Sequence, residues 1–169
     1  MRPMGVRAFG RAVLVLTGVA LLVAGCSSTP SGGGGGGGGT GPTATAAADP
    51  GTVMTGSGSV GTYLTDYQGN ALYVFAQDTG STSTCSGTCA TDWPPLTLTS
   101  TIPKAGPGVT QSLLSTVRRP DATVQIAYNG HPLYTYKGDT APGSTKGQGV
   151  NADGGLWYLV APSGSPITA

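Results

Sequence analysis

An internal duplication restricts the fold of this chain more than any other feature. Sliding the sequence by 61 positions lays Tyr67, Gly69, Leu72, Tyr73, Phe75 and Asp78 on Tyr128, Gly130, Leu133, Tyr134, Tyr136 and Asp139. A tryptophan follows each copy, Trp93 and then Trp157, at an offset of 64. Self-similarity of this kind calls for two equivalent supersecondary units, which we place at about 60–99 and 121–162.

Each copy reads as a β-hairpin. In the second, Thr123 to Tyr128 and His131 to Tyr136 flank Asn129-Gly130. Asn-Gly supplies the two positive-φ residues of a type I′ turn, the strongest short-range hairpin signal. A two-residue loop sets Tyr128 against His131, Ile126 against Leu133 and Gln125 against Tyr134, because opposed residues share a face. Val124, Ile126 and Leu133 then line one side and Tyr134 and Tyr136 the other. In the first copy Leu64, Tyr73 and Phe75 share a side opposite Tyr63 and Leu72. Both faces carry apolar groups. Either the hairpins are sandwiched between layers, or Tyr73, Phe75, Tyr134 and Tyr136 form an open ligand surface with Asp78 and Asp139 at its edge. As turn residues, the two Asp would instead cap loops. Between the copies, Gln111 to Val117 reads as a short helical turn, and Trp93-Pro94-Pro95-Leu96 as a rigid extended lead into a strand.

Composition agrees with β structure. Charged residues are 9% of the chain, with 30 Gly, 13 Pro and all seven acidic residues Asp. Asp prefers caps and turns, whereas the missing Glu is a helix former. The expected fold is all-β, a small sandwich or barrel built from two duplicated hairpin repeats.

The N-terminal third reads differently. Arg2, Arg7 and Arg11 precede an apolar run from Ala12 to Ala24, about 20 Å long as a helix against a hydrocarbon core of about 30 Å. The run suits a signal peptide over residues 1–25. Leu22-Val23-Ala24-Gly25-Cys26 resembles the lipobox of bacterial lipoprotein precursors. The resemblance implies that Cys26 becomes an acylated mature N-terminus, a stable anchor when two chains are attached. Residues 26–49 include eight consecutive glycines, Gly32 to Gly39, and read as a flexible tether. Residues 50–169 are then the β-rich domain.

The domain is similar to the secreted-repeat lipoproteins of unknown function, whose signature is Tyr-x-x-x-x-Asp. Here it stands as Tyr73 to Asp78 and Tyr134 to Asp139. Cys85-x-x-x-Cys89, Trp93-Pro94-Pro95-Leu96 and Tyr128-Asn129-Gly130-His131-Pro132-Leu133-Tyr134 extend the resemblance over roughly Val60 to Pro162. It implies an exported protein and no established activity.

Candidate chemistry is sparse. Without the leader, five basic residues face seven Asp, a net charge of −2, and no basic stripe is present for nucleic acid. Once Cys26 is lipidated, Cys85 and Cys89 form an even pair in an exported chain, which favours a disulfide. The rival readings are a redox pair, or thiolates that hold a soft metal with His131, the sole histidine, as a further ligand; His131 otherwise reads as a turn residue. Gly138 to Gly143 has the glycines of a phosphate loop with its lysine misplaced, and Asn151-x-Asp153-Gly154 is only a fragment of a calcium loop. Neither a hydrolase elbow nor a spaced carboxylate pair stands out. The expectation is a non-enzymatic binding or envelope-associated module, with no cofactor, lipid-anchored outside the cell membrane. The alternative is an accessory to extracytoplasmic electron transfer or metal handling.

Overall fold

The computed structural model describes residues 49–98 and 102–168. The leader, Cys26 and the glycine tether lie outside the described residues. The domain is nearly all β, with strands β1 (Thr52–Gly58), β2 (Gly61–Thr65), β3 (Tyr73–Phe75), β4 (Thr97–Leu98), β5 (Lys104–Ala105), β6 (Leu114–Arg118), β7 (Val124–Tyr128), β8 (His131–Pro132), β9 (Asn151–Ala152) and β10 (Gly155–Leu159). One short helix, α1 (Thr88–Asp92), precedes Trp93, and a 3₁₀ turn, Gln111–Leu113, runs straight into β6. The expected helical turn at Gln111 to Val117 is therefore only its first half.

The strands form small sheets ordered β2-β1-β5, β3-β10-β9 and β4-β7-β6, with β8 also paired to β7. None of them closes into a barrel. Asn129 (φ 49°) and Gly130 (φ 80°) make the turn that their sequence predicts, with Tyr128 opposite His131. The Leu133 amide donates to the Ile126 carbonyl at 2.9 Å. Gln125, however, does not face Tyr134. Past Leu133 the chain leaves β7, whose edge is taken over by β4, with Thr97 opposite Gln125. Asp153-Gly154 makes a second tight hairpin, β9 to β10, with both residues at positive φ.

The first copy differs from expectation by one residue. Its loop is three residues long, because the Asp66 carboxylate accepts the amides of Gln68 and Asn70 at 2.8 and 2.9 Å and holds the turn open. Thr65 consequently bridges Ala71, and the Leu72 amide donates to Leu64. A one-residue slip exchanges faces. Leu64 thus sits with Leu72, and Tyr63 with Tyr73 and Phe75, the reverse of the predicted sides.

Two buried clusters result. Tyr63, Tyr73, Phe75, Cys85, Cys89, Trp93, Tyr134, Trp157 and Leu159 form an aromatic one. Val53, Leu64, Leu72, Val74, Ile126, Tyr128, Leu133 and Val160 form a mostly aliphatic one. Both faces of the hairpins are covered, so the sandwiched arrangement is the one realised.

Candidate functional site

The two copies are interlocked. Each hairpin is completed by the tail of the other: the Leu64 amide donates to Val160 and the Ile126 amide to Leu96, both at 2.8 Å. On the same plan β10, which ends the second copy, pairs with β3 of the first, Leu159 opposite Tyr73. Pro95 of the first copy bridges Tyr134 of the second. At the centre Tyr73 and Tyr134 exchange backbone hydrogen bonds of 2.8 and 3.0 Å.

The Tyr-x4-Asp signature takes its meaning from this crossing. The Tyr73 hydroxyl donates to Asp139 Oδ2 at 2.6 Å, and the Tyr134 hydroxyl to Asp78 Oδ2 at 2.7 Å. Each tyrosine therefore binds the aspartate of the opposite copy. The second carboxylate oxygen of each Asp caps its own loop. Asp78 Oδ1 accepts the Thr84 amide and hydroxyl, and Asp139 Oδ1 accepts the Ser144 hydroxyl and the Lys146 amide. Charged acceptors make such hydrogen bonds short and strong.

Burial chiefly pushes the Tyr73 phenol far above its ordinary range; the Asp139 carboxylate adds to this and the Gly147 N–H opposes it. Tyr134 is raised likewise by burial, against a lowering contribution from the Ser83 hydroxyl, with Asp78 adding its charge.

The rings obey the same symmetry. Trp93 and Trp157 stack at 4.0 Å with 1° between planes. Phe75 stacks on Trp157 at 4.3 Å and Tyr136 on Trp93 at 4.1 Å. Tyr73 packs T-shaped with Trp93 and Tyr134 with Trp157, at 5.5 and 5.1 Å. Tyr73 and Tyr134 are 0% exposed and Phe75 4%; Tyr136 alone of the four is partly open. The open ligand platform is therefore not formed: rings contributed by two copies cover one another, and their stacking is a core.

Cys85 and Cys89 are joined in a disulfide, with Cα atoms 5.3 Å apart, and both are buried in the aromatic cluster. Bonded to each other, the sulfurs are not thiolates, and the metal reading loses its ligands. His131 is half-buried at the start of β8, opposite Tyr128. Among the described residues no three His, Cys, Asp or Glu gather where they could hold a metal.

Sequence reasoning missed Arg119, which is 4% exposed. Its Nη1 donates to Ser83 Oγ at 2.6 Å and Gln125 Oε1 at 2.7 Å, and Nη2 to the Cys85 carbonyl at 2.6 Å. Among the described residues Nε has only Asp121 Oδ2, 3.6 Å away. The guanidinium thus pins the disulfide loop to β7. Nothing in Arg118-Arg119-Pro120-Asp121 marks this burial locally.

A surface groove of about 520 Å³ runs along Met54 to Ser57, Thr65 to Gly69 and Pro142-Gly143. No local sequence signal marks it, since its walls come from β1, the Asp66 loop and a loop of the second copy.

A family described as a secreted repeat of unknown function matches the chain twice, over residues 54–97 and 115–161. These segments cover more than half of the sequence. The chain belongs to this family. Each match begins within the strand before the hairpin, β1 or β6, and closes at the tail that crosses to the other copy. A secreted repeat works outside the cytoplasm. No helix among the described residues is long and apolar enough to cross a membrane. No curated protein and no solved structure shows a significant match.

Proposed function

We propose that this secreted-repeat protein is a lipoprotein held at the outer face of the bacterial cell membrane through acylated Cys26, and that its domain is a non-enzymatic module binding a neutral, polar component of the envelope. Anchoring rests on the lipobox-like Leu22 to Cys26 and on the glycine-rich sequence between it and the domain. With Tyr73, Tyr134, Asp78 and Asp139 engaged in joining the copies, binding falls to the surface loops.

The groove along Met54, Thr65, Tyr67 and Pro142 is the observation that carries the binding half. Hydroxyls, an amide and tyrosine rings line it, and among the described residues no basic side chain does. Its one carboxylate, Asp66, is already committed to Gln68 and Asn70. This chemistry disfavours anionic ligands and suits the alternating hydroxyl and C–H faces of a glycan. Isothermal titration of the full chain in detergent with soluble cell-wall glycan fragments tests it. Tyr67→Ala should weaken binding about tenfold, close to 1.4 kcal/mol. No heat with any fragment, or binding indifferent to Tyr67→Ala, would sink the reading. For the anchor, Cys26→Ser should abolish labelling by an alkynyl fatty acid and release the protein to the medium; retained labelling would refute it.

A further inference from the structure

The repeat signature assembles a continuous aromatic stack, two oxidisable tryptophans at its centre, with a carboxylate at each buried phenol beside it. Phe75, Trp157, Trp93 and Tyr136 stack in sequence at 4.3, 4.0 and 4.1 Å. Tyr136, partly exposed, gives the stack an outlet to solvent. Against each tryptophan lies a buried tyrosine whose O–H points at a carboxylate, Tyr73 to Asp139 and Tyr134 to Asp78. A phenol that loses an electron becomes a strong acid. Where a carboxylate already accepts its hydrogen bond, proton and electron can leave together, which avoids stranding a cation in an apolar core.

We propose that the aromatic core is a one-electron relay, taking oxidising equivalents from a high-potential one-electron oxidant outside the membrane, a radical or an oxidised metal complex, and storing them as buried neutral tyrosyl radicals. The oxidant removes one electron through Tyr136 and Trp93. Tyr73 refills the Trp93 ring, its O–H bond breaks, and the proton passes to Asp139 Oδ2. The balance is oxidant plus Tyr73 phenol plus Asp139 carboxylate, giving reduced oxidant, Tyr73 phenoxyl radical and Asp139 carboxylic acid. Tyr134 and Asp78 repeat the step through Trp157. The disulfide takes no part. The two copies thus provide two storage sites on one stack, both reached from the Tyr136 end, a use for the duplication beyond packing.

The test is flash oxidation of the full chain in detergent by tris(bipyridine)ruthenium(III), generated by laser with a cobalt(III) ammine quencher, followed by transient absorption and freeze-quench high-field electron paramagnetic resonance. Wild type should yield a tyrosyl radical that accepts a strong hydrogen bond, formed several-fold more slowly in deuterated water because an O–H bond breaks in the step. The Asp78→Asn/Asp139→Asn variant should lose that signal and leave the radical on tryptophan, and Tyr136→Leu should slow its formation several-fold. A tyrosyl signal surviving in Tyr73→Phe/Tyr134→Phe would place the radical on surface tyrosines and overturn the proposal. The absence of a solvent isotope effect in wild type would overturn it equally, and that result needs no variant to fold.

Discussion

Removing one hydroxyl tests whether the signature joins the copies. In Tyr73→Phe the ring still fills its place against Trp93, while Asp139 Oδ2 loses the hydroxyl that donates to it at 2.6 Å. A hydrogen bond to a charged group contributes about 1.5 to 3 kcal/mol. For a domain of this size that corresponds to a fall in Tm of roughly 5 to 15 °C. The sharper quantity is the pairwise coupling. In a double-mutant cycle of Tyr73→Phe with Asp139→Asn, the interaction energy should lie at about 1 to 3 kcal/mol, as for groups in direct contact. Tyr134→Phe with Asp78→Asn should match it. The pairs adjacent in sequence, Tyr73 with Asp78 and Tyr134 with Asp139, should couple by less than about 0.5 kcal/mol. Urea unfolding followed by tryptophan fluorescence measures all four cycles. Coupling concentrated within each Tyr-x4-Asp segment would refute the crossing.

Three further outcomes follow from the same contacts. Because Tyr73 and Tyr134 are raised above their unfolded values, their contribution is fully present below the unfolded tyrosine pKa of about 10 and is lost as pH rises past it. Urea midpoints should therefore hold up to that pH and fall beyond it, and the decline should flatten in Tyr73→Phe/Tyr134→Phe. Reducing Cys85–Cys89 should lower stability by about 2 kcal/mol, the loop being short, without loss of the fold by circular dichroism. Gly147→Ala should cost about 1 to 3 kcal/mol by overpacking, since a Cβ there would sit 2.8 Å from the Tyr73 ring and 2.9 Å from Trp93; calorimetry would read the change.

Local signals in the sequence were reliable where the chemistry is local. Asn129-Gly130 names its own turn, and the even cysteine pair names its bridge. The first hairpin departs by one residue from its sequence pattern because the Asp66 side chain, in place of a two-residue turn, sets the loop, and that slip exchanges the sides of Tyr63 and Leu64. The duplication revealed equivalence between the copies, but not that their tails cross, since β3 with β10 is a pairing between segments some eighty residues apart in sequence. Asp78 and Asp139 do cap their loops, yet nothing in either copy alone shows the tyrosine that arrives from the other. Arg119 was invisible for a different reason: a charged residue defaults to the surface, and its three acceptors come from Ser83, Cys85 and Gln125, distant in sequence except for the last.

The most direct test of the interlocked core is solution NMR of the two buried hydroxyl protons. Slowly exchanging, downfield Tyr73 and Tyr134 hydroxyl resonances are expected, with nuclear Overhauser effects from Tyr73 to the Gly147 amide and from Tyr134 to Ser83 protons. Rapidly exchanging hydroxyls, or effects linking each tyrosine to the loop of its own copy, would contradict it.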